Sequence, residues 1–300
     1  MTEILSSETV LDKVCDHYSP GDLGTKILHA LSASGKDPDR LTLDDLIPID
    51  EFHVRGRKAT ADLAKDLEPG KNMRILDVGC GLGGAARYLA REFSCHVTGL
   101  DLNDEYCRVA EDLTRRLALD SLVSFRQGNA LSLPFPDATF DIVWTQHASM
   151  NICDKSQLYR ELFRVLKPGG RLALYDALAG TGGETHFPVP WARDSSISFL
   201  QTEQQLLERL TENGFEIEVW RDVTEAGRSW FCHMNDRIRA QGPPQFGLQL
   251  LLGADFRLMA HNLMLNLEEG RILLLECIAR RPHAIQGVIL LTDFWRFCEQ

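Results

Sequence analysis

The pattern of apolar and polar positions changes character near residue 72. Before it, mixed polar and apolar residues predict a mainly helical segment, with helices over 10–17, 23–34 and 56–67. Pro20-Gly21 and Pro69-Gly70 punctuate it. From Asn72 onward, short apolar runs alternate with amphipathic stretches. The runs predict strands at 73–78, 96–101, 122–126, 140–145 and 171–177, and the stretches between them predict helices at 84–92, 104–118 and 155–166. Within 104–118, Tyr106, Val109, Ala110, Leu113 and Leu117 share one face, with Arg108, Glu111, Asp112, Arg115 and Arg116 opposite. Within 155–166 the apolar face is Leu158, Leu162, Phe163, Val165 and Leu166, and Lys167-Pro168-Gly169-Gly170 ends the helix in a glycine-rich turn. Such alternation predicts an α/β fold with a parallel sheet covered on both faces.

Beyond it, the glycine- and proline-rich stretch 178–200 predicts an irregular lid or insertion. A helix at 202–213, a strand at 215–221, helical segments at 225–241 and 245–267 and a last strand at 273–279 follow. The expected organisation is a helical cap (1–70), a core (71–281) with substrate-pocket helices at about 225–267, and a C-terminal tail (282–300). The tail carries Phe294, Trp295 and Phe297, expected to be buried on the body or between two copies in a homodimer.

Composition narrows the class. At 44% apolar and 25% charged residues, the chain reads as an ordinary globular protein. No apolar run reaches the roughly 18 residues of a membrane helix, and residues 1–5 lack a basic, secretory-type start. The expectation is a cytoplasmic protein with no stable membrane insertion. Eight cysteines without a C-x-x-C pair fit reduced thiols, and no His/Cys/carboxylate cluster has metal-ligand spacing. A net charge of −11 opposes long polyanions, so nucleic acid is not an expected partner.

The chemistry concentrates in the run Ile75-Leu76-Asp77-Val78-Gly79-Cys80-Gly81-Leu82-Gly83-Gly84. It reads as a buried strand, a glycine-dense turn and the start of a helix. The turn lets a ligand lie against bare backbone, and free helix N–H groups are expected to face it. Asp101, at the end of the next strand, suits a pair of ribose hydroxyls. The combination argues for a nucleoside-containing cofactor.

Gly79, Gly81, Gly83 and Gly84 give G-x-G-x-G-G, with Asp77 two residues ahead, and this resembles the first motif of class I S-adenosylmethionine-dependent methyltransferases. Pro134-Phe135-Pro136-Asp137 with Phe140-Asp141-Ile142-Val143 resembles the family's strand-four motif, and Arg164-Val165-Leu166-Lys167-Pro168-Gly169-Gly170 the motif before strand five. All three fall in order within 73–177, over a third of the chain. The resemblance implies a Rossmann-like, seven-stranded, mostly parallel sheet, S-adenosyl-L-methionine as methyl donor and S-adenosyl-L-homocysteine as product. It implies that Asp77 meets the donor's ammonium, Asp101 its ribose and Leu102 its adenine. Asn129 and Ala130 stand where the family usually has Asp and a small residue, at the adenine edge. The segment 144–152 resembles the loop of the sarcosine/dimethylglycine, phosphoethanolamine and quinone methyltransferase branch. Gln146 then faces the methionine end, and His147 is a candidate general base.

His53 and Arg55 are expected to close over the donor carboxylate or hold an acidic acceptor. Tyr175, Trp191, Trp230 and His233 are candidate acceptor-pocket residues. The resemblance implies methyl transfer to a small-molecule acceptor, foremost an amine nitrogen of glycine, sarcosine or dimethylglycine type. A quinone- or phenol-directed C- or O-methyltransferase is the alternative, and a nicotinamide oxidoreductase is the reading from another class.

Overall fold

A computed structural model describes residues 7–18, 21–242 and 246–283. Its centre is a seven-stranded sheet in the order β3-β2-β1-β4-β5-β7-β6. The strands are β1 Arg74–Val78, β2 His96–Asp101, β3 Val123–Gln127, β4 Phe140–Gln146, β5 Leu166–Ala179, β6 Glu216–Asp222 and β7 Ile272–Arg280. β1 to β5 run parallel, and β7 pairs antiparallel with both β5 and β6. β1 sits between β2 and β4, so the chain order reverses at its carboxyl end, where two outgoing connections part and leave a crevice.

Helices α5 Gly84–Phe93, α6 Asp104–Arg116, α7 Lys155–Val165 and α8 Glu203–Glu212 cover the sheet. Each has a strong apolar side. α6 buries Tyr106, Val109, Ala110 and Leu113 as expected, and Asn103 caps it by accepting from the Tyr106 amide. β4 is buried around Trp144, which is fully enclosed. The cap holds α1 Ser7–His17, α2 Leu23–Ala33, α3 Leu43–Asp50 and α4 Arg57–Leu67. α3 was not expected. Pro48 inside it obscures the pattern, yet Thr42 and Asp45 form a capping box that marks its start. α3 is tied to the core by a fully buried ion pair, Asp50 Oδ1 to Arg87 Nη2 at 2.5 Å.

The second half departs in two places. Residues 178–200 are fixed to the body: the Gly180 and Gly182 amides donate to Arg271 and Gly270 carbonyls at 2.8 Å, and Val189, Trp191 and Ala192 are buried. Residues 245–267 are not one helix. After α9 Thr224–Gln241, the chain forms α10 Gln249–Leu252, turns at Gly253 with φ +69°, and continues as α11 Phe256–Glu268. Of the tail, residues 284–300 lie outside the described residues. No helix among those described is long and apolar enough to cross a membrane.

The turn after β1 depends on close approach. Gly83 has φ +83°, and a Cβ there would lie 2.4 Å from the Phe125 ring. Gly81 has φ +54°, but a Cβ there meets nothing within 4 Å. Gly81→Ala should therefore cost about 1–2 kcal/mol from left-handed strain alone, and Gly83→Ala about 1–3 kcal/mol more from overpacking. Urea unfolding of the two variants measures the difference; equal losses would place Phe125 away from the turn.

Candidate active site

The crevice opens into a cleft of about 420 Å³, within the range of ~300–1,000 Å³ for small-molecule sites. Gly79 and Gly81 form its floor, Asp101 and Leu102 one wall, Asn129 and Ala130 another. The turn's amides are not free, contrary to expectation. Gly79 and Cys80 N–H both donate to the Leu100 carbonyl (2.8 and 3.1 Å), Gly81 N–H to Asp101 Oδ2 (2.8 Å), and Gly83 N–H to the Cys80 carbonyl (2.9 Å). The turn spends its donors on itself and offers a ligand bare surface: at Gly81 a side chain would project into open space.

Asp101 is fixed by the same bonds, with Oδ1 accepting from Asn103 N–H at 2.9 Å. Each carboxylate oxygen keeps lone-pair capacity for a diol. Burial raises its pKa, and the backbone N–H groups oppose that rise. Asn129 is only partly as expected. It borders the cleft, but its Oδ1 accepts from Leu131 N–H at 2.9 Å, so the carbonyl assigned to the adenine edge closes a turn.

A second, polar space of about 70 Å³ adjoins the floor, bordered by Asp50, Asp77, Tyr106, Gln146 and His147. Among the described residues, nine buried side-chain polar atoms lack a hydrogen-bond partner, and five belong to these residues. Gln146 Oε1 accepts from Trp144 Nε1 (3.0 Å) and Thr60 Oγ1 (3.2 Å), leaving Nε2 as an unused donor. Asp77 Oδ2 is an unused acceptor, and burial, then the Asp101 charge, pushes its pKa up to about 7. Unpaired buried polar atoms cost about 1–3 kcal/mol each. The set matches an amino-acid head group: ammonium to Asp77, carboxylate to Gln146 Nε2 and the Tyr106 hydroxyl. Sequence reasoning missed Tyr106, whose place on the apolar face of 104–118 read as packing, and gave Asp50 no role.

A third space, about 80 Å³, is apolar. Tyr18, Phe52, His53 and His147 stand at one end, with Trp191 and Trp230 among its walls. His147 borders all three spaces. Its backbone holds φ +48°, uncommon for a non-glycine residue. Its N–H donates to the Tyr175 carbonyl at 2.7 Å, and its Nε2 is buried and unpaired. Burial, then neighbouring His53, holds its pKa well below the usual histidine value, so the ring is neutral at pH 7. The His53 and His147 ring centroids are 6.0 Å apart. His53 Nε2 lies 3.2 Å from both Glu51 Oε2 and Thr60 Oγ1.

Three expected pocket residues are placed elsewhere. Arg55 is sealed beneath the site, paired with Asp62 and with the buried Glu276 at 2.5 Å; the sheet needs its charge there. Tyr175 is fully buried. Its hydroxyl donates to the Val54 carbonyl at 3.0 Å and its ring backs His147 at 4.7 Å, so it supports the site without lining it. His233 is exposed on α9, its Nδ1 2.6 Å from its own helix's Ser229 carbonyl. Tyr18 was missed. It borders cleft and apolar pocket, and its hydroxyl donates to Asn151 Oδ1 at 2.9 Å. The signal was the stripe Val10, Val14, Tyr18 on one side of α1.

Sheet order, glycine turn and acidic strand end together define a Rossmann-like domain with its crevice at the carboxyl ends of β1 and β4. Residues 76–174 match the family model described as a methyltransferase domain, and the chain carries that domain. It is 34% identical over 168 residues to the methyltransferase GfsG of Streptomyces halstedii, covering 55% of this chain and 57% of the relative. It is 30% identical over 178 residues to a glycine/sarcosine/dimethylglycine N-methyltransferase of Actinopolyspora halophila, covering 59% of this chain and 32% of the relative. Among solved structures, the [4+2]-cyclase SpnF superposes with a TM-score of 0.66 at 26% identity, covering 90% of this chain and 97% of that one. The chain spans only about a third to just over half the length of these two curated relatives.

Two predictions follow from the charges. The protonated Asp77 carboxyl favours the folded state fully below about pH 3.8; that contribution declines as pH rises and is gone above about pH 7. Asp77→Asn keeps the neutral form, so it should raise the melting temperature of the ligand-free protein at pH 8 while weakening S-adenosylmethionine binding about tenfold or more by calorimetry. An unchanged affinity would remove Asp77 from the head-group space. Arg55→Met, which strips Glu276 of a buried partner, should cost about 3 kcal/mol in urea unfolding and leave donor affinity unchanged. A selective loss of affinity would return Arg55 to the site.

Proposed function

We propose that the protein transfers a methyl group from S-adenosylmethionine to a neutral, largely apolar small molecule, at an oxygen or activated carbon whose proton His147 removes. The observation that carries the donor is the polar space beside the glycine turn, where unpaired carboxylate, amide and hydroxyl groups await an amino-acid head group. The donor, when bound, supplies an electrophilic sulfonium methyl.

The chain's own residues supply position and proton handling. Asp101 holds the ribose, Leu102 and Ala130 flank the adenine, and Asp77 with Gln146 anchors the methionine end. Tyr18 and Phe52 stand at the junction, lining both the cleft and the apolar pocket. Orientation of this kind supplies roughly 7–11 kcal/mol of the barrier. His147 presents a neutral, unpaired Nε2 at the meeting point and can accept a hydroxyl proton as its oxygen attacks.

The apolar pocket argues against glycine-type amines. Such acceptors carry a carboxylate, yet among the described residues no lysine or arginine lines the pocket, and Arg55 is committed to Glu276. A buried unpaired charge is costly. The aromatic walls suit a ring or hydrocarbon body. The likeness to the [4+2]-cyclase favours a second reading, in which the same pocket folds a polyene for ring closure and no methyl leaves the donor.

Labelled-methyl assays over phenols, hydroquinones and apolar alcohols, against glycine, sarcosine and phosphoethanolamine, test the proposal. Label is expected on the neutral acceptors. Transfer confined to the charged amines would overturn the acceptor assignment, and ring closure without label would favour the second reading. His147→Ala should lower kcat by about 10²–10⁴ at unchanged donor affinity, and Trp230→Ala should raise the acceptor KM alone.

A further inference from the structure

The turn that follows β4 carries His147 in its left-handed conformation, and such backbone persists only where its surroundings over-determine it. Two charged side chains hold this turn from behind. The Ser149 N–H donates to Asp176 Oδ2 at 3.2 Å, and the Ser149 carbonyl accepts from Lys155 Nζ. Lys155, the first residue of α7, is 5% exposed, and Asp176, on β5, is 1% exposed. Among the described residues no direct ion pair joins them; they meet through the backbone of one residue, Asp176 holding the amide that precedes Ser149 and Lys155 the carbonyl that follows it. Burying two charges costs several kcal/mol per ion, which is a large outlay for gripping a backbone that a neutral group could satisfy.

We propose that Lys155 and Asp176 are positioning residues: they clamp the two peptide groups that flank the Ser149 Cα and thereby hold His147 at the junction of donor and acceptor spaces. The inference rests on His147 being the base, and it names what keeps the base in place. The neighbouring groups fit this role. Tyr159 hydrogen-bonds the Ser149 side chain and accepts from Gln201 Nε2 at 2.5 Å, and Arg209 Nη1 donates to Gln201 Oε1 at 2.9 Å. On the opposite side, Asn151 Nδ2 donates to the Trp191 and Ile197 carbonyls at 2.8 and 2.9 Å. His53 and the Tyr175 ring face His147 itself. Burial lowers the Lys155 pKa to about 8 and raises that of Asp176 to about 6, while the charge of each partly offsets the other's shift.

The test is the ring spectrum of His147 in protein labelled with ¹⁵N-histidine and saturated with S-adenosylhomocysteine, the resonance being assigned by its loss in His147→Ala. In the unaltered protein it should stay neutral between about pH 5.5 and 8. In Asp176→Ala and Lys155→Met the turn is released, and the His147 resonance should titrate near the ordinary histidine value. Asp176→Asn keeps an acceptor for the Ser149 N–H and should leave it silent, a rescue that a general loss of stability would not reproduce. Circular dichroism and S-adenosylhomocysteine affinity report folding, and if Asp176→Ala does not fold, Lys155→Met alone decides. A folded Lys155→Met whose His147 spectrum and titration match the unaltered protein overturns the clamp. Failure to bind S-adenosylhomocysteine in the unaltered protein would instead overturn the donor assignment. Where an acceptor is in hand, kcat should fall about tenfold or more in the released variants, with acceptor KM nearly unchanged.

Discussion

The site depends on polar atoms that are buried and left unpaired. Asp77 Oδ2, Gln146 Nε2 and His147 Nε2 lie close to the carboxyl ends of β1 and β4, and none has a partner among the described residues. Each vacancy costs about 1–3 kcal/mol. A fold tolerates that cost only where the surrounding scaffold is rigid, and where a ligand can later supply the missing partners. The sheet supplies rigidity. β1 and β4 are central and paired on both sides, and the residues beneath the site, Trp144 and Tyr175, are fully enclosed.

The cap completes the site by a polar route as well as an apolar one. Thr60 on α4 hydrogen-bonds Gln146, Glu51 and His53, all at 3.2 Å, so one hydroxyl joins the helical cap to the sheet edge. Glu51 is held well below the usual carboxylate range, to about 2, because bonds to His53 and Arg57 outweigh its burial. The Asp50–Arg87 pair anchors the same segment to α5. Arg55 and Glu276 anchor it to β7. Three ionic ties within six residues make the stretch 50–55 a rigid wall of both the donor and acceptor spaces.

One residue, His147, stands where the three spaces meet. His147 borders donor cleft, head-group space and apolar pocket, and its neutral ring leaves it ready to accept. The aromatic pocket beyond it carries no formal charge among its lining residues apart from what histidine can gain. That contrast, polar on one side of His147 and apolar on the other, is the physical basis of the acceptor class proposed above.

The sequence by itself determined the alternation of strands and helices and the glycine turn, because apolar runs and glycine spacing act within a few residues. The seven-stranded sheet came from the family resemblance, which also singled out Asp77, Asp101, Gln146 and His147; these border the cleft and the polar space beside it. Other features belong to contacts between segments far apart in the chain. Arg55 read as a ligand-binding cation, but Glu276, 221 residues away, claims its charge. Tyr175 read as a pocket residue, but the Val54 carbonyl and the His147 ring enclose it. Asn129 read as an adenine partner, but its own turn satisfies its carbonyl. Tyr18 entered the site because α1 and the turn after it fold across the cleft; the stripe Val10, Val14, Tyr18 marks an apolar side but not what it covers. Only the tertiary structure decided which polar groups were already satisfied, since a hydrogen-bond partner is set by distance in space and not by position along the chain.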